Sequence, residues 1–168
     1  MRTFECPVSD RESFIQKLIV REGLPVPDVY GQPDLMFTLA KVVKAEAREV
    51  FVFLPFDHVT EVAALGGRIH TGDELSGPRG KAGIYSSFGD LLQAEVPTKL
   101  GIKRMDNIVA LCERCTREGL PVFIEGSGPV NVLSGLMEWR NLVRCARKDT
   151  RGLLRAVRCI SDFLVEYY

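Results

Sequence analysis

Apolar positions recur along this chain at two periods, and the alternation between them predicts its elements. Residues 10–22 carry Phe14, Leu18 and Ile19 at helical spacing, with Asp10 placed to cap the start. Gly23-Leu24-Pro25-Val26-Pro27-Asp28 then reads as loop. Pro33-Asp34 opens a second helix through about Arg48, with Leu35, Leu39, Val42 and Val43 as its stripe. Val50-Phe51-Val52-Phe53-Leu54 is a short, wholly apolar run, the pattern of a strand buried in a parallel sheet. A short helix over Val59–Leu65 follows, ended by Gly66-Gly67. Residues 68–99 are irregular, with at most a brief strand at Gly83-Ile84-Tyr85.

The second part of the chain repeats the scheme. Lys103–Glu118 is helical, with Ile108, Val109, Cys112 and Cys115 near one face and Gly119 at the end. Pro121-Val122-Phe123-Ile124 is a second buried strand, and Gly126-Ser127-Gly128-Pro129 is a sharp turn. Helices over 130–147 and 150–168 complete it, with Thr150 as the expected cap of the last and Trp139 read as a packing residue. Helices alternating with short apolar strands imply parallel strands joined by crossover helices, an α/β fold. Two strong strands are too few for a closed (β/α)₈ barrel, which takes about 250 residues. The chain has 168, read as one domain.

Composition narrows the function classes. Apolar residues at 46% suffice for a core, and no run approaches a membrane span. Basic and acidic residues number 22 each, so overall charge gives no sign of a nucleic-acid partner. The expected location is the cytoplasm, given an N-terminus without an apolar signal core. The five cysteines, an odd count at irregular spacing, read as reduced thiols. Cys112-Glu113-Arg114-Cys115 has the spacing of a metal or redox pair, but it sits within a helical pattern and lacks a second ligand pair. No metal ligands are therefore assigned. Arg140, Arg144, Arg147 and Lys148 read as a solvated basic face.

The chemistry concentrates at Pro55-Phe56-Asp57-His58, directly past the first strand. The carboxyl ends of barrel strands carry active sites. Asp57 there serves as a charge stabiliser or proton-handling group, or else it caps the next helix. His58 alone reads as a partly exposed polar residue without ligand spacing.

This stretch resembles the uroporphyrinogen decarboxylase superfamily, where an aspartate follows an apolar strand and Ala-Leu-Gly closes the helix. Asp57 and Gly66 keep that spacing, with Ala64-Leu65-Gly66 in place. Pro55-Phe56-Asp57 is more similar to the cobamide-dependent methyltransferase branch. Pro121 to Ser134 resembles the family's strand followed by Gly-Pro-Phe-Thr-Leu-Ala-Ser, with Val130 and Asn131 replacing the aromatic and the threonine. Gly72-Asp73-Glu74, Gly77-Pro78 and the Met137–Leu142 stretch follow in the family's order.

The resemblance covers about residues 33–168, with residues 1–32 as an N-terminal helix and loop. It implies half of a TIM-type β/α barrel, the N-terminal half. It implies Asp57 as the catalytic candidate, with Phe56, His58, Gly128 and Asn131 as substrate-binding candidates. Glu125, which flanks the turn with Asn131, has pocket, capping and surface roles equally open.

There are departures from the family pattern. The carboxylate-gripping arginine motif of the decarboxylases has no counterpart in residues 1–32. Their tyrosine near the end of the Gly-Pro motif is Gly135 here. Without these anchors decarboxylation does not follow. The methyltransferase branch binds zinc through residues of the other barrel half, so corrinoid and zinc are implied only for a completed enzyme.

The expectation is a methyltransferase component that is inactive alone. A second copy or a complementary C-terminal half-barrel would complete it, with a corrinoid protein as a further partner. Neither nucleic acid nor membrane is expected. The alternatives are a non-catalytic binding or assembly module descended from the same superfamily, and a small complete α/β enzyme with an unrelated activity at Asp57.

Overall fold

Two short parallel strands and eight helices account for most of the described residues. The computed structural model describes residues 7–81, 83–94 and 103–168, and their side chains from Arg11 onward. Helix α1 spans Pro7–Arg21 and α2 Pro33–Ala47, with a 3-10 turn at Asp28–Tyr30 between them. Strand β1 is Val52–Leu54, and α3 is Thr60–Ala64. Two-residue strands β2 (Ile69–His70) and β3 (Arg79–Gly80) precede α4 (Phe88–Gln93). Helix α5 (Lys103–Arg117), strand β4 (Val122–Ile124), α6 (Pro129–Leu136), α7 (Trp139–Lys148) and α8 (Thr150–Tyr167) follow.

The described residues group into two compact units. The first takes in residues up to Asp57, 71–78 and 107–125. Within it β1 and β4 pair in parallel, with Val52 opposite Val122 and Leu54 opposite Ile124. The ladder is extended by Val52 N–H donating to Pro121 O (2.7 Å) and Glu125 N–H donating to Leu54 O (2.7 Å). Strand alternation divides the apolar run. Val52 and Leu54 are fully buried among Ile19, Met36, Leu39 and Leu111. Phe53 points the other way, its ring 5.2 Å from that of Phe123, which also meets Phe51 at 6.5 Å. That second face is poorly covered: Phe51 and Phe123 are exposed.

The second unit comprises residues 58–70, 79–106 and 126–168. Leu133, Leu136 and Met137 from the α6 region pack with Phe88, Leu91, Ala156 and Ile160. The β2–β3 pair is antiparallel, and Tyr85 forms an isolated bridge to Met137. Gly83 makes that approach possible, because a Cβ there would lie 2.4 Å from Glu138 N and 2.5 Å from the Met137 carbonyl carbon.

Several expectations shift. Helix α1 begins at Pro7, and the proposed cap by Asp10 lies outside the described side chains. The predicted 130–147 helix is two helices, broken at Met137-Glu138, both in extended backbone. Asp149 rather than Thr150 caps α8, accepting from Gly152 N–H at 2.8 Å. Trp139 is 59% exposed and is not a packing residue. Helix α4 lies in the stretch read as irregular. Ser87 and Asp90 start it with a reciprocal capping box.

Candidate functional site

Asp57 stands three residues beyond the end of β1 and is 5% exposed. The first unit's apolar core holds the adjacent Phe56, which is also buried. The cap position of α3 falls on Val59, two residues after Asp57.

In the same unit Tyr30 is buried and donates from its hydroxyl to Gln16 Oε1 at 2.9 Å. Gln16, also buried, donates from Nε2 to Asp73 O at 2.7 Å. Burial pushes the Tyr30 phenol well above the ordinary tyrosine value, and the charges of Asp57 and Glu12 push it further. Tyr30 is therefore a neutral hydrogen-bond donor close enough to sense the Asp57 carboxylate. A cleft of about 620 Å³ opens beside this network, lined by Glu12, Gln16, Lys17 and Ser76 among others. Gly77 gives the network room, since a Cβ there would sit 3.3 Å from the Tyr30 hydroxyl.

The second unit holds a carboxylate that sequence reasoning missed. Glu61, on α3, is 1% exposed. Its Oε1 accepts from Ser127 N–H at 2.9 Å and from the Tyr168 hydroxyl. Its Oε2 is buried and has no hydrogen-bond partner among the described residues. Burial raises the Tyr168 phenol pKa first, and the hydrogen bond to Glu61 raises it further. Gly126 lies under that ring, because a Cβ would fall 2.6 Å from Tyr168 Cζ. The available signal was a lone carboxylate in the apolar run Val59-Thr60-Glu61-Val62-Ala63-Ala64. Nearby, Arg104 Nε donates to Thr60 Oγ1 at 3.2 Å.

His58, Gly128 and Asn131 belong to this second unit, whereas Phe56 and Asp57 belong to the first. His58 is exposed. Gly128 is the cap residue of α6, and its carbonyl accepts from Val132 N–H at 3.1 Å. Asn131 is exposed in the first turn of α6, and its carbonyl accepts from Ser134 Oγ at 2.7 Å. At Gly135, where the decarboxylases have tyrosine, a Cβ would lie 2.5 Å from Val62 Cγ2. The close seating of α3 on α6 leaves no room for an aromatic side chain there.

Cys112 and Cys115 share α5. Burial pushes the Cys112 thiol up to about 11 and raises Cys115 as well, away from the thiolate that a metal ligand requires. Among the described residues no cluster of three or more His, Cys, Asp or Glu is placed to hold a metal. No described helix is long and apolar enough to cross a membrane.

An aspartate past a parallel strand and a glycine-rich turn after that strand's partner define an α/β protein with its polar groups at strand ends. Residues 12–168 match the uroporphyrinogen decarboxylase (URO-D) family, and the chain belongs to that family. The match starts within α1, earlier than the sequence motifs alone indicated. Among solved structures the chain is similar to a methyltransferase from Methanosarcina mazei, with 25% identity and a TM-score of 0.71. That likeness covers 90% of this chain and 46% of the methyltransferase, so the chain spans about half the length of its structural relative. No curated protein matches.

Proposed function

We propose that this chain is the N-terminal half of a corrinoid-linked methyl-transferring (β/α)₈ barrel, inactive alone and completed by a complementary half or a second copy. The observation that carries this reading is the outer face of the β1–β4 pair. Phe51 and Phe123 stand exposed there at 43% and 51%. Each strand also has just one hydrogen-bonded neighbour among the described residues. Further parallel strands would bury those rings and pair those edges. The methyltransferase relative, about twice as long as the matched region, supports the same reading.

In this proposal Asp57 stabilises charge or holds a proton at the strand end. Tyr30 stays neutral beside it, and Gln16 fixes the phenol's direction. A zinc ion would supply thiol activation in a completed methyltransferase. The described residues do not fit one: burial raises the Cys112 and Cys115 thiols, and no third donor joins them among the described residues. In this proposal metal and corrinoid are held by the completing half.

The test is transfer of a methyl group from a methylated corrinoid to a thiol. The purified chain should show none, and the complex recovered from its own cells should turn over. Asp57→Asn in that complex should lower turnover about 100-fold or more without dissociating it. Turnover by the isolated chain would overturn the claim of inactivity. An inert complex would overturn methyl transfer.

A further inference from the structure

The charge of this neutral chain is unevenly placed. Residues 139–158 hold Arg140, Arg144, Arg147, Lys148, Arg151, Arg155 and Arg158 against one acid, Asp149. The rest of the chain keeps 15 basic and 21 acidic residues, a net −6. Every one of the seven is exposed, and none forms an ion pair among the described residues. Elsewhere the arginines behave differently: Arg11 pairs with Glu49, Arg21 with Glu22 and Glu46, and Arg114 with Asp34. Asp149 is committed to capping α8.

The spacing is ordered. Arg140, Arg144 and Arg147 fall on one stripe of α7, and Arg151, Arg155 and Arg158 on one stripe of α8. At the start of α7 the surface is concave, with a cleft of about 390 Å³ lined by Tyr85, Ser86, Glu138, Arg140, Asn141 and Arg144. Asn141 Nδ2 donates to Ser86 O at 2.6 Å and its Oδ1 accepts from Arg144, so the cleft wall is braced. Two large apolar side chains stand exposed on the same helices, Trp139 at 59% and Leu154 at 63%.

We propose that the arginine-rich surface of α7 and α8 is a docking surface for an acidic protein. The inference is separate from the methyl-transfer reading and survives its failure. Arginine forks grip carboxylates in pairs, and arginine with tryptophan is the composition of protein-binding hot spots, from which lysine is depleted. A nucleic acid or an anionic membrane carries its charge past any small footprint. The net −6 of the remaining residues repels an extended polyanion and favours a compact acidic protein face.

The experiment titrates labelled poly-L-glutamate with the whole chain at low salt, about 50 mM. Saturable binding that weakens as salt rises is expected. The triple variant Arg151→Gln/Arg155→Gln/Arg158→Gln should bind about tenfold more weakly. The control Lys17→Gln/Lys81→Gln/Arg117→Gln, with the same change in net charge, should bind almost as the native chain does. Circular dichroism verifies the fold of each variant, and Arg140→Gln/Arg147→Gln repeats the test if the first triple unfolds. Absence of binding by the native chain, or equal weakening by both triples, overturns the proposal. Tighter binding to an oligothymidylate or to phosphatidylserine vesicles than to polyglutamate also overturns it.

Discussion

At the scale of single residues, environment rather than identity decides which polar groups are chemically available. Cys112 illustrates this. Its thiol is pushed up to about 11 by burial, from an ordinary value of 9.0. At pH 8 only about one Cys112 in a thousand is thiolate, so thiol reagents should label it far more slowly in the folded chain than in urea. The linkage has a definite sign. Between pH 9 and 11 the unfolded chain loses this proton and the folded chain keeps it. The Cys112 contribution to stability is therefore intact below pH 9 and declines as pH rises toward 11. Urea midpoints at pH 8 and pH 10.5 for native and Cys112→Ala chains check it: the native chain should lose more stability than the variant over that interval. The Cys-x-x-Cys spacing was legible in the sequence, but the burial that silences it was not. Asp57 was legible because a carboxylate directly past an apolar run is conspicuous. Glu61 was not, because a residue inside a short helix reads as surface until the packing partners, here Ser127 and Tyr168, are known.

Among the elements, those with strong periodicity or punctuation were readable. Helix α2 begins at Pro33 and ends with Arg48 in left-handed conformation, close to the expected limits. Gly119, at φ 70°, closes α5 as its position implied. Helix α4 escaped because its six residues, Phe88–Gln93, are too few to display a period. Its signature is instead Ser87-x-x-Asp90. The Ser87 hydroxyl accepts from Asp90 N–H at 3.1 Å, and the Asp90 carboxylate accepts from Ser87 N–H at 2.9 Å. Ser87→Ala should cost about 0.5–2 kcal/mol of stability in urea denaturation. The other missed boundary, the break between α6 and α7, has a tertiary cause. Ile84 and Tyr85 both donate from N–H to Leu136 O, drawing the chain out of helix where Gly83 lets the backbones meet.

For the whole molecule, the parallel fold class was readable but the pairing of β1 with β4 was not, since periodicity does not name a strand's neighbour. The uncovered Phe51 and Phe123 rings predict association. Each 100 Å² of apolar surface withdrawn from water contributes roughly 2.5 kcal/mol. Sedimentation should show mass rising with concentration, and Phe51→Ser/Phe123→Ser should shift the chain toward monomer; a native monomer unchanged by dilution contradicts this. The β1–β4 register also bears on the birth of the protein. Val52 meets Val122, 70 residues later, so the pair closes only after that stretch has been made. At ribosomal speed β1 waits roughly 4–14 s for its partner. Throughout that delay Val50-Phe51-Val52-Phe53-Leu54 is an adhesive pentapeptide on a nascent chain, and a chaperone that shields extended apolar segments would find its first client site there.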